Sequence, residues 1–157
     1  MTQLLLIRHA VNDFVKTGKL AGWTPQVHLN DDGKAQAAAL GKRLADAPLA
    51  HIYTSPLERT VETAQAIHDH HPDIPFDITD KIDLRQRKMW DVIQEYPTRA
   101  YFPNGETMRG VQNRIVDAVE SFVTAHPDQT IALVFHADLI KMTLAHYLGV
   151  HLDNFQR

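Results

Sequence analysis

The stretch LLLIRHAVND, residues 4–13, begins as an apolar run and passes directly to Arg8 and His9. Such a run is typical of a strand that is buried on both faces of a parallel sheet. Strands usually end at turn residues such as Gly, Asn, Asp or Pro. A fixed cation followed by a titratable imidazole is unusual there, and it indicates that this strand end carries chemistry.

Three other β-rich runs resemble this first strand in length and composition. The predicted strands are QLLLI (3–7), HIYT (51–54), FDIT (76–79) and TIALVF (130–135). The last is almost as apolar as the first, so both are expected to be buried on two faces. Each run is short enough for a single strand and far too short to cross a membrane.

Four helices are predicted around these strands. Asn30 is expected to cap the first, and Ser55 begins a capping box with Pro56 at the first helical position of the second. The predicted helices run from Asn30 to Pro48, from Ser55 to about His70, over 105–125 and from Asp138 to Gly149. The third places apolar residues three and four positions apart, as an amphipathic helix does.

Strands that alternate with amphipathic helices predict an α/β fold, a three-layer α/β/α arrangement around a mostly parallel sheet. The length fits one domain over residues 1–157. In such sheets ligands bind beyond the carboxyl ends of the strands. The site is therefore expected at those ends.

Composition excludes several classes of function. The net charge of −3 argues against a nucleic-acid partner, and the absence of cysteine excludes disulfides and thiol nucleophiles. The N-terminus lacks a signal-peptide pattern, so we expect a cytoplasmic protein with no membrane partner. Neither a Walker phosphate loop nor a dinucleotide-binding fingerprint is present. Any phosphate chemistry must therefore be local, and nothing in the sequence selects an oligomeric state.

The predicted strand ends bring together two arginines and two histidines. Arg8 and His9 end the first strand, Arg59 lies early in the helix after the second, and His136 ends the fourth. Arginine presents a planar fork that matches phosphate oxygens, and a neutral imidazole can attack phosphorus. Nearby cations lower the pKa of such an imidazole and keep it neutral. Taken singly each residue is more often structural, but their repetition at strand ends favours a phosphate site.

These residues carry a resemblance to a known family. The motifs are RHA (8–10), AGWTPQVHLNDDGKAQAAAL (21–40), YTSPLERTVETA (53–64), FPNGET (102–107) and LVFHADLIK (133–141). In this order they resemble the histidine phosphatase superfamily, the phosphoglycerate mutase-like proteins with an Arg-His-Gly motif. Ala10 stands where the family has glycine, which requires only that the backbone there avoid positive φ.

The resemblance implies a role for each matched residue. His9 would accept the phosphoryl group as a covalent phosphohistidine, and Arg8 and Arg59 would hold its oxygens. His136 would donate a further hydrogen bond to that group or carry a proton. Neither a metal nor a cofactor is implied, because the arginine and histidine cluster supplies the positive charge that stabilises the transition state.

One part of the family pattern is missing. The family usually carries its general acid after the third strand, in a segment resembling Glu-x-x-x-Gly-x-Trp-x-Gly, but residues 77–97 contain neither this Glu nor a glycine. Either Gln86 replaces the Glu, or the acid segment is absent between Ile82 and Asp83. We prefer the second alternative. The chain also stops at Arg157, where relatives typically continue.

Two explanations fit the missing segment. The protein is a naturally short form without its acid, or a mobile loop and a tail are missing from this sequence. Weak surrogate acids within the chain are Asp83, Glu95 and Asp138, and the last is more simply a helix cap. Glutamine at position 86 would not donate a proton usefully at neutral pH.

Three further segments have both a functional and a structural interpretation. The histidines 68, 70 and 71 could be metal ligands, but they crowd a helix C-terminus, where the helix dipole favours them structurally. The basic run 85–88 is more often a solvated helix face than a substrate contact. The long connection 10–29 contains Trp23, and its length favours a role in shaping a pocket.

The expected function is hydrolysis of a small phosphomonoester through phosphohistidine at His9, by a phosphatase or a phosphoglycerate mutase-like enzyme. The partner would then be a small-molecule phosphomonoester. The alternative is a catalytically weakened protein of the same fold that binds phosphorylated ligands. The missing acid favours this alternative.

Overall fold

One sheet of four strands forms the centre of the protein. The computed structural model describes residues 1–18, 21–83, 98 and 106–156. The strands are β1 (Gln3–Arg8), β2 (Leu49–Thr54), β3 (Phe76–Ile78) and β4 (Thr130–Phe135). They lie in the order β1-β4-β2-β3, and each neighbouring pair is parallel. All four predicted strands are confirmed, with shifts of one or two residues at some ends.

Among the residues that the structure describes, five helices and two 3-10 turns accompany the sheet. The helices are α1 (Asp13–Lys16), α2 (Asp31–Leu44), α3 (Glu58–His68), α4 (Met108–Ala125) and α5 (Ala137–Tyr147). The turns are Asp80–Ile82 and Leu152–Asn154. The four predicted helices are confirmed. The short α1 lies within the connection 10–29, for which the sequence predicts no helix or strand.

Strand β4 is buried on both faces, as its apolar sequence predicts. The same prediction is wrong for β1, which lies at one end of the strand order and is only partly buried. Ile131, Leu133 and Phe135 belong to the core cluster that also contains the apolar faces of α4 and α5. Ala132 and Val134 belong to a second cluster, which contains buried residues of α3. Helices therefore cover both faces of the sheet, and the predicted α/β/α arrangement is confirmed.

The amphipathic pattern of α4 also predicts its buried face. Every apolar position spaced by three and four along this helix is buried: Met108, Val111, Ile115, Val119 and Phe122. The Thr107 hydroxyl caps the helix by accepting a hydrogen bond from the Gly110 N–H at 3.0 Å. This helix packs against α5 in one continuous core.

Helix ends agree with the sequence in two places and differ in one. The Asn30 side chain accepts a hydrogen bond from the Gly33 N–H at 2.9 Å, which confirms its predicted cap. Gly149 follows α5 with φ +66°, and the Val150 N–H donates to the Ala145 carbonyl at 2.8 Å, so the predicted helix end is confirmed.

The Ser55 prediction is wrong. Helix α3 begins at Glu58, and Leu57 occupies its N-cap position without a side-chain hydrogen bond. Ser55 is fully buried between the end of β2 and this helix. Its hydroxyl bonds to other side chains, described below, and is not available to the helix N-terminus.

Candidate active site

Parallel pairing continues one residue beyond the ends of two strands. The His9 N–H donates to the Phe135 carbonyl at 3.0 Å, and the Ser55 N–H donates to the Val134 carbonyl at 3.1 Å. His136 follows β4 directly as the N-cap residue of α5. The ends of β1, β2 and β4 thus present His9, Ser55 and His136 at one edge of the sheet, where the sequence predicts a site.

His9 is held in a defined tautomer by its own backbone neighbour. Its Nδ1 lies 2.8 Å from the Ala10 carbonyl oxygen, which can only accept a hydrogen bond. Nδ1 therefore carries the hydrogen, and in the neutral ring Nε2 carries the free lone pair. Ala10 is fixed in turn, because its N–H donates to the Thr63 hydroxyl at 3.0 Å. Only Gln26 and Asp128 among the described non-glycine residues have positive φ, so alanine is accommodated here.

The environment of His9 keeps its imidazole neutral. Burial lowers its pKa from 6.5 to about 3, against the opposing hydrogen bond to the Ala10 carbonyl. Charge repulsion from three other residues contributes to the same lowering: His136, Arg59 and Arg8. A neutral ring with an exposed lone pair on Nε2 is the form that attacks phosphorus.

Arg59 places a buried positive charge in the site. It lies in the first turn of α3, its side chain is 1% exposed, and its Nη2 donates to the Gly22 carbonyl at 2.7 Å. Its Nε and Nη1 have no hydrogen-bond partner among the residues that the structure describes. Burial lowers the pKa of this guanidinium, partly offset by Asp83 and Glu58. Buried N–H groups of a cation are well suited to bind anion oxygens.

Arg8 lies at the edge of the same region. It is the last residue of β1 and is exposed, and its charge contributes to the lowered pKa of His9. Arg8 and His9 line a cavity of about 250 Å³ that continues along an apolar wall formed by α1 and α2. The second predicted arginine is therefore beside His9, but more open to solvent than Arg59.

His136 is buried against His9. Its side chain is 2% exposed, and the two imidazole centroids are 5.4 Å apart with an interplanar angle of 65°. The His136 Nε2 lies 3.0 Å from the Ser55 hydroxyl oxygen and 3.5 Å from Asp83 Oδ1. The structure thus brings His9, His136 and Arg59 together, with Arg8 at the rim.

Asp83 is the carboxylate that follows the third strand, after the 3-10 turn. It is 2% exposed and accepts hydrogen bonds from the Ser55 hydroxyl at 2.9 Å and from the Trp23 indole N–H. Burial alone would raise its pKa, but hydrogen bonds from His136, Ser55 and Trp23 lower it below the usual value. An ionised carboxylate has no proton to donate, so Asp83 is not a surrogate general acid at neutral pH.

Asp138 does not have the capping role that the sequence predicts. Asp138 lies in the first turn of α5, whose N-cap residue is His136, so its predicted role as a helix cap is wrong. Its Oδ1 accepts a hydrogen bond from the Gln156 side chain at 2.9 Å. Glu95, Gln86 and the basic run 85–88 lie outside the described residues.

The structure also shows the contacts of the histidine group 68–71 and of the connection 10–29. His68 and His71 contact the backbone carbonyls of Ile74 and Leu44 through Nε2, at 3.1 and 2.8 Å, which fits the structural reading of the histidine group. Within residues 1–18, 21–83, 98 and 106–156, no group of three or more His, Asp or Glu side chains could hold a metal ion. The connection 10–29 reaches the site through Gly22 and Trp23, as its length suggested.

Comparison with known proteins identifies the class. The sequence model of the histidine phosphatase superfamily (branch 1) matches residues 4–85 and 78–157. Phosphoserine phosphatase 1 of Hydrogenobacter thermophilus is 29% identical over 171 residues, covering 99% of this chain and 80% of that protein. The uncharacterized phosphatase PhoE of Bacillus subtilis is 28% identical over 157 residues, covering 95% and 79%.

A solved structure agrees with the fold. Bacillus stearothermophilus YhfR superposes with a TM-score of 0.90 at 27% identity, covering 99% of this chain and 84% of that one. The site and these matches define a phosphoryl-transfer enzyme of the phosphatase and mutase type. The chain belongs to the histidine phosphatase superfamily, branch 1. None of the described helices is both long and apolar enough to span a membrane.

The lowered pKa of His9 makes the folding stability depend on pH. Between pH 6.5 and about 3 the unfolded chain binds a proton at this residue that the folded chain does not, so stability falls as pH falls. We expect wild-type protein to lose about 1–2 kcal/mol more than a His9→Gln variant between pH 7 and pH 5. Urea unfolding of both proteins across this range measures the difference, and parallel stability curves would contradict it.

Proposed function

We propose that this protein hydrolyses small phosphomonoesters through a phosphohistidine on Nε2 of His9. The observation that carries the proposal is the Arg59 guanidinium, which is 1% exposed and has two nitrogens, Nε and Nη1, whose hydrogens no described residue accepts. A buried cation with unused donors is costly unless an anion completes its hydrogen bonds. The neutral His9 ring lies close enough for the charge of Arg59 to lower its pKa.

Each predicted residue has a role in this proposal. The His9 lone pair attacks phosphorus, and the leaving alcohol departs from the opposite side. Arg59 binds the phosphoryl oxygens from the buried side and Arg8 from the rim. His136 supplies a further N–H to the same group. Water then releases inorganic phosphate, with no metal in the cycle, because these donors balance the phosphoryl charge.

The substrate class is proposed from the relatives. Phosphoserine phosphatase 1 of Hydrogenobacter thermophilus is named for a small alkyl phosphomonoester. We infer that this chain also takes a small alkyl phosphate, and phosphoserine is the first compound to test. The cytoplasmic location and the absence of nucleic-acid and membrane partners stay predictions from the sequence.

We also propose a single domain over 1–157 without the usual acid segment near Ile82 and Asp83. Two observations support this. The family matches 4–85 and 78–157 as two overlapping pieces, and the alignment with phosphoserine phosphatase 1 spans 171 residues, 14 more than the 157 of this chain. In the structure Ile82 and Asp83 are consecutive within one hydrogen-bonded turn, in which the Asp83 N–H donates to the Asp80 carbonyl at 3.2 Å.

Removing the Arg59 charge tests the anion site. We expect Arg59→Gln to lower kcat/KM for phosphoserine by about 10²–10³-fold, because donors aimed at the transferring group contribute to this extent. It should also abolish the rise in melting temperature that vanadate causes in wild-type protein. Steady-state kinetics and thermal unfolding measure both effects.

The exposed Arg43 of α2 provides a control with the same change of charge. Arg43→Gln should leave turnover and vanadate stabilisation at the wild-type level. If Arg59→Gln behaved like this control, the proposed anion site would be wrong.

The alternative of a phosphate-binding protein is favoured by one observation. The carboxylate of Asp83 is ionised, so the described site has no carboxylic acid to protonate a leaving alkoxide. Such a protein would bind vanadate and still turn over only compounds with very good leaving groups.

Leaving-group dependence separates the two functions. An enzyme with a proton donor should hydrolyse phosphoserine within about 10²-fold of the rate for p-nitrophenyl phosphate, whereas a site without one should lose about 10²–10⁴-fold more on the alkyl compound. The kcat values of both substrates decide the question. A His9→Ala variant that retained either activity would refute His9 as the nucleophile.

A further inference from the structure

A buried polar junction lies behind His136, and its centre is Asp83. Both carboxylate oxygens accept hydrogen bonds, Oδ1 from the Ser55 hydroxyl at 2.9 Å and Oδ2 from the Trp23 indole. The Asp83 backbone carbonyl accepts from Arg114 of α4 at 3.1 Å. Side chains from three separate parts of the chain thus hold a 2% exposed carboxylate in one position.

The hydrogens of this junction can be assigned from donors and acceptors. The Ser55 hydroxyl has a single hydrogen, and it donates that hydrogen to the ionised Asp83 carboxylate. The hydroxyl oxygen therefore accepts from the His136 Nε2 at 3.0 Å, so Nε2 carries a hydrogen in every protonation state. His136 therefore donates to Ser55, and Ser55 donates to Asp83.

These two hydrogen bonds have two consequences for His136. It fixes the orientation of the ring, because Nε2 is committed to Ser55 and Asp83 and the working nitrogen is then Nδ1. It also favours the imidazolium, because the negative charge of Asp83 Oδ1 lies 3.5 Å from Nε2. The charged and titratable described groups that contact the ring are His9 at the end of β1 and Asp83 after the 3-10 turn. Arg59 of α3 and Arg8 of β1 lie near His9, and Asp138 lies two residues after His136 in the first turn of α5.

Resting on the proposed function, we propose that Asp83 is a positioning residue that holds His136 oriented and protonated through Ser55. His136 then supplies the proton that the leaving alkoxide needs. This role replaces that of the family's Glu, whose motif the sequence does not contain after the third strand. Asp83, which follows the 3-10 turn after β3, thus assists protonation of the leaving alkoxide through His136.

The first half-reaction transfers the phosphoryl group to His9 and a proton to the leaving alcohol. The lone pair of His9 Nε2 forms the N–P bond while the P–O bond to the substrate alcohol breaks, and that electron pair stays on the oxygen. The oxygen takes a proton from the His136 imidazolium, which becomes neutral. The products are phosphohistidine and the free alcohol.

Water completes the cycle. Its oxygen attacks phosphorus while neutral His136 takes one of its protons, and the N–P electron pair returns to His9. Inorganic phosphate leaves, and His136 is again the imidazolium beside Asp83. No reactant other than water is required.

The test compares Asp83→Asn with Asp80→Asn, which removes the same charge from an exposed residue of the same turn. For Asp83→Asn we expect kcat for phosphoserine to fall about 10²-fold and kcat for p-nitrophenyl phosphate only a few-fold, because the second leaving group needs little protonation. The alkaline limb of the pH profile should move to lower pH by about one unit. Asp80→Asn should keep the wild-type profile.

A second variant and an NMR titration test the proposal without relying on the activity of Asp83→Asn. If Asp83→Asn does not fold, Ser55→Ala replaces it, and its pH profile of kcat should also move to lower pH. The titration of the His136 ring nitrogens by NMR should move to lower pH in Asp83→Asn, whether or not the protein turns over substrate. Failure of the proposed function would appear separately, as equal rates for wild type and His9→Ala.

Two results would overturn the inference. One is a His136 titration that is the same in wild type and Asp83→Asn. The other is faster turnover or tighter vanadate binding in Asp83→Asn, which would mean that the carboxylate occupies the place of the phosphoryl group.

Discussion

The position of β4 between β1 and β2 is the constraint on which the site depends. Both neighbours pair with β4 in parallel, so their carboxyl ends meet at one edge, and the pairing continues through the His9 and Ser55 N–H groups. A shift of one residue in either register would turn these side chains to the opposite face. The apolar packing of β4 on both faces fixes that register, and the core therefore fixes the chemistry.

The electrostatics of the site follow from burial. The same exclusion of water that keeps His9 neutral keeps the Arg59 guanidinium in a region of low dielectric, where its attraction to an anion is strong. Asp83 supplies a compensating negative charge, which accepts a hydrogen bond from the Ser55 hydroxyl and lies 3.5 Å from the His136 ring. The site thus places a neutral imidazole close to charged side chains within one small volume.

The sequence predicted the strand ends well but not the contacts of Ser55 and Asp83, for a physical reason. His9 and His136 follow short apolar runs, and such runs predict strands from composition alone. Ser55 was misread because a Ser-Pro-x-Glu pattern has a local meaning as a capping box, whereas its hydroxyl bonds to Asp83, distant in sequence. Asp83 itself has no local signal, since the contacts that bury and ionise it come from Trp23, Ser55 and the end of β4. Local patterns do not specify such contacts.

The most direct test of the account is to trap the phosphoenzyme. Wild-type protein mixed briefly with p-nitrophenyl phosphate and quenched in alkali would be digested, and the peptides mapped by mass spectrometry. The account predicts one phosphoryl group on the peptide that contains His9, absent from a His9→Ala variant. Continued turnover with no phosphoryl group on His9, or with the group on another residue, would contradict it.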